Sequence, residues 1–368
     1  MTVHSQTLKD ILTLIGTYDP GLFPEDVTRI YGIPEKDIVN LGSNENPYML
    51  PEDIIEKIAG ELHKVNRYPN PSYMDLKEAI SDYIGLPPNH ITVGNGSSDL
   101  IDMICKATLN PLDKIVIPLP TYTLYMLTSM FWEAEIKYLE TEGEGFDVRA
   151  SSLEPHMKNA KLVFLGSPNN PTGRSIDRKE LEEMLKFESP LIIVDEAYAE
   201  FSGKTAIELV KNSENLIVLR SMSKYFCLAG LRIGYAVSNP KIIEGLEKVR
   251  LPFNVNRLAQ TAAVQALKSL KHFRAIGEEI NREREDLSRE LKTIGFEPIP
   301  SDSNFLMVKL PEGQDSEIFT HRLASKGVII RSLKNLPGLT SGEYVRVTVG
   351  RRGENKKFLE VCREILSE

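Results

Sequence analysis

Residues 221–234, which read SMSKYFCLAGLRIG, combine one lysine with groups that could bind a phosphate. Lys224 follows a very apolar run, so it is expected at the end of a buried strand, where desolvation makes an amine nucleophilic. The hydroxyls of Ser221 and Ser223 and the guanidinium of Arg232 could hold one phosphate. An amine beside a phosphate clamp suggests pyridoxal phosphate, whose aldehyde forms a Schiff base with lysine. Alone, the motif also fits a solvated lysine in a loop.

A second anion-binding candidate follows the apolar run 91–93. Gly96 is followed by Ser97 and Ser98, and then by a helical pattern. Backbone N–H groups at the start of a helix attract anions, and Gly96 would let a phosphate approach the backbone. The motif is equally typical of an ordinary helix N-cap.

Three polar residues that follow later apolar runs could hold the ring of such a cofactor. Asn170, in SPNNPTG, could donate an amide N–H to the phenolate oxygen O3′, and Tyr198 could reach the same oxygen from the other side. Asp195 is expected at a buried strand end, where a carboxylate is costly unless it is paired. A pyridinium nitrogen would be its partner and would make the ring an electron sink. The alternatives are a β-turn at Asn170 and a helix-capping Asp195 with a core tyrosine.

Three more residues are candidates with plain structural alternatives. Tyr122 could stack on a cofactor ring, or it could be an ordinary core or surface tyrosine. Arg346 interrupts an alternating strand pattern and could bind a substrate carboxylate through two parallel hydrogen bonds, or form a structural salt bridge. Arg331 is a further candidate for binding an anion.

The elements that must position these residues alternate between short apolar runs and helical segments. The later of these runs are apolar without alternation, as expected of parallel strands that are covered on both sides. They lie at residues 91–93, 115–117, 136–139, 162–165, 191–194 and 216–219. This pattern predicts an α/β fold with a mostly parallel central sheet. Ligands of such sheets bind beyond the carboxyl ends of the strands, where the polar clusters fall.

The length of 368 residues predicts two domains. We expect a large cofactor-binding domain at 45–252, and a smaller α+β domain from residues 253–368 together with the N-terminal segment 1–44. The second domain is predicted from two long helices, three strand candidates and a closing helix. They lie at residues 256–270 and 273–294, at 305–308, 328–330 and 345–349, and at 354–366.

Composition excludes several classes of protein. A formal charge of −8 argues against a general nucleic-acid binder. The cysteines, at positions 105, 227 and 362, are odd in number and far apart, so neither a disulfide framework nor a zinc site is predicted, and we expect no bound metal. The N-terminus lacks the features of a signal peptide, and no apolar run approaches the ~20 residues that span a bilayer. We therefore expect a cytoplasmic protein that binds neither nucleic acid nor membranes.

Taken as a set, the motifs resemble the fold-type I aminotransferases that use pyridoxal phosphate. Within that superfamily the chain is most similar to the histidinol-phosphate aminotransferase family, and the resemblance covers nearly the whole sequence. The supporting stretches are YDPG at 18–21, NENP at 44–47, NRYP at 66–69, SPNNPTG at 167–173, VDEAY at 194–198, LAGLRIGY at 228–235 and YVRVTVG at 344–350.

The resemblance implies a role for each candidate. Lys224 would be the Schiff-base lysine and proton shuttle, and Asp195 would pair with the ring nitrogen. The other cofactor contacts would be O3′ to Asn170 and Tyr198, the ring face to Tyr122, and the phosphate to Ser97, Ser98, Ser221, Ser223 and Arg232. Tyr68 would reach the phosphate of a neighbouring subunit, which implies a homodimer with shared active sites. The substrate-binding set would be Arg346 for a carboxylate, Tyr18 and Arg331 for the distal or phosphate end, and Asn44.

The reaction that the resemblance implies is a ping-pong transamination. Histidinol phosphate and 2-oxoglutarate would give imidazole acetol phosphate and glutamate, a step of histidine biosynthesis. Two enzymes with the same architecture remain as alternatives, a decarboxylase of the threonine-phosphate type and an aromatic amino-acid aminotransferase. A non-catalytic regulator on this fold is disfavoured, because the sequence shows no basic N-terminal extension that could form a DNA-binding domain.

Overall fold

A seven-stranded sheet forms the centre of the computed structural model, which describes residues 8–13, 15–141, 143, 145–339 and 342–368. The strands follow the spatial order β2-β8-β7-β6-β5-β3-β4. Their bounds are β2 Ile91–Gly94, β3 Lys114–Leu119, β4 Glu135–Glu140, β5 Leu162–Gly166, β6 Leu191–Asp195, β7 Leu216–Ser221 and β8 Gly234–Ser238. The predicted α/β class with a mostly parallel sheet is confirmed.

The central strands are apolar on both faces because both faces are covered. In β6, Ile192 and Val194 pack into one buried cluster, whereas Ile193 between them packs into the cluster on the opposite face. Successive side chains of a strand point to opposite faces, so a doubly covered strand shows no polar alternation.

One strand of the sheet was not predicted. Strand β8 lies between β2 and β7 and is antiparallel to both. It follows β7 after the short loop that contains Lys224 and Arg232, rather than after a crossover helix. Its sequence, GYAVS, is short and moderately apolar, so the pairing between distant segments rather than local pattern defines it.

Thirteen α-helices are present within the described residues. They are α1 Pro24–Tyr31, α2 Glu52–Gly60, α3 Met74–Ile84, α4 Ser97–Thr108, α5 Thr123–Phe131, α6 Ala150–Met157, α7 Arg178–Met184, α8 Ala199–Ser202, α9 Pro240–Val249, α10 Arg257–Lys268, α11 Leu270–Thr293, α12 Ser316–Ser325 and α13 Arg352–Ser367. Short 3-10 helices occur between several of them. None of these helices has the length and hydropathy that are needed to cross a bilayer, as far as the chain is described.

The C-terminal part of the chain builds a smaller antiparallel sheet with the order β12-β13-β10-β9. The N-terminal segment joins it through a two-stranded parallel pair of β1 and β11. The bounds are β1 Val39–Asn40, β9 Glu297–Pro298, β10 Phe305–Lys309, β11 Val328–Ile329, β12 Arg331–Ser332 and β13 Tyr344–Thr348.

The separation between the large and the small hydrophobic core falls within α11. Phe273 and Ile280 in its first half pack into the large core, together with Ala259 and Ala263 of α10. Leu287, in its second half, packs into the small core. Helix α10 therefore covers the large core, although it follows residue 252. The division of the chain into domains at that residue stays a prediction.

The fold brings several strand ends to one edge of the large sheet. Strands β2, β5, β6 and β7 all run in the same direction, since β2 and β7 are both antiparallel to β8. Their carboxyl ends lead into the predicted site residues. Because β8 begins two residues after Arg232, that side chain is held at the same edge.

Candidate active site

A cavity of about 200 Å³ lies at this edge, and nearly all the predicted site residues line it. It is formed by the loops after the parallel strands, by the loop before β8 and by the small sheet. The predicted residues in its wall are Tyr18, Asn44, Ser97, Ser98, Tyr122, Asn170, Asp195, Tyr198, Ser221, Ser223, Lys224, Arg232, Arg331 and Arg346.

Lys224 points its amine into the cavity and donates a hydrogen bond to the backbone oxygen of Ser43 at 2.8 Å. Burial, together with the charges of Arg346 and Arg232 and against the opposing effect of Glu45, lowers the pKa of Lys224 to about 8. Near neutral pH this amine therefore loses its proton more readily than an ordinary lysine does. An uncharged lysine amine is the form that attacks a carbonyl group.

Hydroxyls, backbone N–H groups and one guanidinium form an anion cradle at one end of the cavity. Ser97 and Ser98 form the first turn of α4, and Arg232 lies opposite, 3.4 Å from the hydroxyl of Ser223. A Cβ atom on Gly96 would lie 2.5 Å from Nη2 of Arg232, so only glycine allows this approach. Arg232 itself has a φ of 57°, an uncommon conformation that is concentrated at functional sites. The arrangement fits a phosphate.

Asp195 is the last residue of β6 and is 6% exposed. Burial raises the pKa of its carboxyl group, and two hydrogen bonds oppose that effect. Tyr125 donates its hydroxyl to Oδ2 at 2.8 Å, and the backbone N–H of Ala197 donates to Oδ1 at 3.0 Å. Both of these donors are uncharged, and they are the hydrogen-bond donors that contact this carboxylate among the described residues. A buried carboxylate of this kind is suited to a cationic ligand group in the cavity.

Arg346 connects the small sheet to the loop after β5. Its guanidinium donates to Oδ1 of Asn170 and to the backbone oxygen of Gly42, both at 2.7 Å. Its buried Nε has no hydrogen-bond partner among the described residues. Asn170 uses its carbonyl oxygen for Arg346, so its NH₂ group is the donor that remains for an oxygen atom in the cavity.

Tyr198 and Asn44 contact each other across the cavity wall. Nδ2 of Asn44 donates to the hydroxyl of Tyr198 at 3.1 Å, and the backbone N–H of Asn44 donates to Thr348 at 2.9 Å. Asn44 is 1% exposed. Its φ of 52° lies in the left-handed region, which asparagine adopts more readily than most other residues. The predicted substrate residue Asn44 thus contacts the predicted cofactor residue Tyr198.

Tyr122 precedes α5 and lines the cavity beside Ser98. Burial raises the pKa of Tyr122 to about 12, so the phenol stays protonated, and a hydrogen bond with Ser98 partly opposes the shift. At the mouth of the cavity, Tyr18 is 55% exposed. Arg331 contacts Asp19, which follows Tyr18 in the N-terminal segment. Nη2 of Arg331 lies 3.1 Å from the carboxylate of Asp19 and 2.5 Å from its backbone oxygen.

Tyr68 is the one predicted cofactor residue that does not line the cavity. It is 77% exposed and stacks on Phe253, with ring centroids 4.4 Å apart. It lines a separate surface groove formed mainly by residues 65–69 and 252–258. Within a single chain, Tyr68 does not reach the cradle around Arg232.

Sequence reasoning missed two residues that hold the site together. Tyr125 lies three residues after Tyr122, which is one helical turn, and this spacing could have indicated a shared face. Asn46 donates through Nδ2 to the backbone oxygens of Lys224 at 3.0 Å and of Tyr225 at 3.2 Å. No local signal marks that contact, since it joins segments 178 residues apart.

The residues present fit pyridoxal phosphate in three independent respects. The cavity holds a partly uncharged amine at Lys224, an anion cradle at Arg232 and a buried carboxylate at Asp195 that has no charged partner in contact among the described residues. These three groups match the aldehyde, the phosphate and the ring nitrogen of that cofactor.

Comparison with known proteins agrees with the geometry. The family model described as "Aminotransferase class I and II" matches residues 36–364. Histidinol-phosphate aminotransferase 2 of Archaeoglobus fulgidus is 43% identical over 361 residues, which cover 97% of this chain and 100% of that protein.

Two solved structures are also similar. The histidinol-phosphate aminotransferase of Clostridium acetobutylicum is 27% identical, with a TM-score of 0.83 over 90% of this chain and 99% of that one. The histidinol-phosphate aminotransferase of Sinorhizobium meliloti, solved in complex with pyridoxal 5′-phosphate, is 24% identical, with a TM-score of 0.85 over 99% of both chains. The latter similarity concerns the fold alone.

Fold and site together define a fold-type I enzyme that depends on pyridoxal phosphate. The chain belongs to the class I and II aminotransferase family, and the transfer of amino groups is its enzymatic activity.

Proposed function

We propose that this aminotransferase exchanges the amino group between histidinol phosphate and 2-oxoglutarate, giving imidazole acetol phosphate and glutamate. The full-length similarity to a protein named histidinol-phosphate aminotransferase 2 supports this choice of substrates. The observation that carries it is the presence of two further guanidinium groups, Arg331 and Arg346, in the wall of a cavity whose phosphate cradle is already complete at Arg232.

The charge of these arginines suits both substrates. A phosphate monoester and a dicarboxylate each carry about two negative charges at neutral pH, and guanidinium groups bind both kinds of anion. Since both half-reactions use one cavity, the same arginines can serve the phosphate of one substrate and a carboxylate of the other. Tyr18 and Asn44 complete the proposed substrate set at the mouth and the wall of the cavity.

The proposed cofactor contacts follow from the chemistry of each side chain. Lys224 would hold the aldehyde carbon, Asp195 would accept a hydrogen bond from the ring nitrogen, and Tyr122 would cover one ring face. Asn170 and Tyr198 would hold the phenolate oxygen. The phosphate would be held by Ser97, Ser98, Ser221, Ser223 and Arg232. When bound, the cofactor supplies an electron sink for the carbanion that forms at the substrate α-carbon.

Proton transfer is the task of Lys224 once its amine is free of the cofactor. Its Nζ lies in the cavity wall and donates a hydrogen bond to the backbone oxygen of Ser43, which orients the free amine. The lowered pKa of Lys224 in the cofactor-free protein supports this role, because a group whose pKa lies near the working pH can both accept and release a proton. Positioned acid–base groups of this kind contribute about 10²–10⁴-fold to a rate.

The proposed enzyme is a homodimer with shared active sites. The exposed ring of Tyr68 and the apolar groove around Phe253 support this, because Tyr68 does not reach the cradle within its own chain.

We also propose that the enzyme works in the cytoplasm, which the three free cysteines support, since unpaired thiols are typical of a reducing compartment.

The test of the substrate is a half-reaction screen. Purified holoenzyme is mixed separately with glutamate, histidinol phosphate, phenylalanine, tyrosine and threonine phosphate, and conversion of the cofactor to its amino form is followed by absorbance. Glutamate and histidinol phosphate are expected to react, with histidinol phosphate showing the highest kcat/KM among the other four. If glutamate converted the cofactor and histidinol phosphate did not, histidinol phosphate would be refuted as the amino donor. Release of CO₂ from threonine phosphate would favour the decarboxylase instead.

A further inference from the structure

Tyr125 contacts the carboxylate of Asp195, and the proposed mechanism gives it no role. The hydroxyl of Tyr125 donates to Oδ2 at 2.8 Å, while the backbone N–H of Ala197 donates to Oδ1. An ionised carboxylate only accepts hydrogen bonds, so both of its oxygens are engaged in the ionised form. The phenol is therefore one of two groups that stabilise the charge on Asp195.

Packing holds the phenol of Tyr125 in place. The ring is 2% exposed and stacks on Phe164 of β5, with centroids 5.2 Å apart and an interplanar angle of 8°. Its second aromatic neighbour is Tyr122, at 5.6 Å and an angle of 88°. A hydroxyl held by such packing keeps its direction, because rotation of the ring would break both contacts. Tyr125 thus touches the residue proposed for the ring nitrogen and the residue proposed for the ring face.

The two groups favour one distribution of protons. Burial raises the pKa of Tyr125 well above its ordinary value, and the neighbouring charge of Asp195 raises it further, so the phenol remains a donor. Burial also raises the pKa of Asp195, and the hydrogen bond from Tyr125 is the largest of the effects that lower it. Without the hydroxyl, the backbone N–H of Ala197 would be the one donor left, among the described residues, to oppose protonation of the carboxylate.

We propose that Tyr125 is a positioning residue that keeps Asp195 ionised and directed at the ring nitrogen of the bound cofactor. The inference rests on the proposed pairing of Asp195 with that nitrogen. One proton would be shared between that nitrogen and the carboxylate of Asp195. Loss of the Tyr125 hydroxyl would make the Asp195 carboxylate more basic, so more of the shared proton would reside on Asp195 and less on the nitrogen.

The test uses holoenzyme that carries cofactor labelled with ¹⁵N at the ring nitrogen. Tyr125→Phe keeps the ring contacts and removes only the hydroxyl. We expect the ¹⁵N chemical shift at neutral pH to move towards that of an unprotonated ring, because more of the shared proton resides on Asp195, and the cofactor dissociation constant to rise about tenfold, as for a lost hydrogen bond to a charged group. An unchanged ¹⁵N chemical shift would overturn the proposal, whatever happens to the affinity, because packing alone could change the affinity.

A second variant strengthens the donor instead of removing it. Replacing Tyr125 by 3-fluorotyrosine preserves its shape and makes the phenol a stronger donor, so the nitrogen should be at least as fully protonated as in the unmodified protein; a shift towards the unprotonated ring would overturn the proposal. The matched control is Tyr235→Phe, which removes a buried hydroxyl without a hydrogen-bond partner among the described residues. This control should leave the ¹⁵N chemical shift unchanged, and a change equal to that in Tyr125→Phe would also overturn the proposal.

The Asp195→Asn background shows whether Tyr125 acts through Asp195. Alone, this substitution should leave the nitrogen unprotonated at neutral pH, and adding Tyr125→Phe should then cause no further change. A further shift of the same size would overturn the inference about Tyr125 and leave the role of Asp195 intact. An unchanged ¹⁵N chemical shift in Asp195→Asn would overturn the pairing itself, and the inference with it. Neither outcome depends on which amino donor the enzyme uses.

Discussion

Arg331 and Arg346 lie directly opposite each other in the antiparallel pair of β12 and β13, and both line the central cavity. Burial is the main cause that lowers the pKa of Arg346, and the charge of Arg331 adds to it. Like charges directly opposite each other destabilise a strand pair, and the Asp19 carboxylate, 3.1 Å from Arg331, offsets part of this repulsion. A negatively charged ligand group in the cavity would offset the rest.

Arg331→Gln should weaken the binding of substrates with two negative charges. Loss of a charge-assisted hydrogen bond costs about 1.5–3 kcal/mol, so KM for histidinol phosphate is expected to rise about 10–100-fold, with a smaller effect on kcat. Steady-state kinetics at fixed ionic strength measures this split.

The matched control for Arg331→Gln is Lys334→Gln. Lys334 lies three residues further on and pairs with Asp315 and Glu317, away from the cavity wall. It should leave KM nearly unchanged. An equal rise in KM for both variants would indicate a general charge effect rather than a specific site.

Covalent attachment of the cofactor to Lys224 should depend on pH with a midpoint near 8. Burial lowers the pKa of Lys224 to about 8, and only the uncharged amine attacks. In cofactor-free protein the attachment rate should rise about tenfold per pH unit below this value and level off above it. Borohydride reduction at timed intervals followed by mass spectrometry measures the rate. A midpoint near the ordinary lysine value would contradict the assigned environment.

The same lowered pKa makes the stability of the cofactor-free protein depend on pH. Between about 8 and 10.5 the unfolded chain holds a proton on Lys224 that the folded chain has lost. Stability should therefore rise with pH across this window. Urea denaturation should show a smaller rise in Lys224→Met. If the two proteins showed parallel pH profiles, the amine would not be buried as described.

Gly96→Ala should damage the phosphate cradle. Gly96 has a φ of 82°, and a Cβ there would lie 2.5 Å from Nη2 of Arg232. We expect a loss of about 1–3 kcal/mol of folding free energy from the strained backbone, and weaker cofactor binding because Arg232 must move. Gly230→Ala is the control, since a Cβ there meets no atom within 4 Å. Fluorescence titration with pyridoxal phosphate compares the two; equal affinities would argue against the cradle.

Mixing two inactive variants tests the shared active site. Tyr68→Ala and Lys224→Ala should each give weakly active or inactive homodimers. Refolded together, they form heterodimers in which one of the two sites has both Tyr68 and Lys224, so about a quarter of the wild-type activity should return. A mixture no more active than its components would contradict the contribution of Tyr68 to the neighbouring subunit.

The sequence by itself determined the class of fold and most members of the site. Strands β5, β6 and β7 were predictable because a doubly buried strand must be apolar at every position, and Asn170, Asp195 and Lys224 directly follow such runs. The edge at which they meet follows from the parallel direction of the strands. The resemblance of the motifs then identified the family, which the comparisons confirm.

Only the tertiary structure decided how these residues are paired. Strand β8 inserts between β2 and β7 and thereby brings Arg232 to the start of α4. Contacts such as Tyr125 with Asp195, or Asn46 with the backbone of Lys224, join segments 70 and 178 residues apart. Local patterns record the burial of a residue and its secondary structure, but not its partner. The partner depends on the packing of the whole chain, and in this protein that packing shifts the pKa values of Asp195 and Lys224.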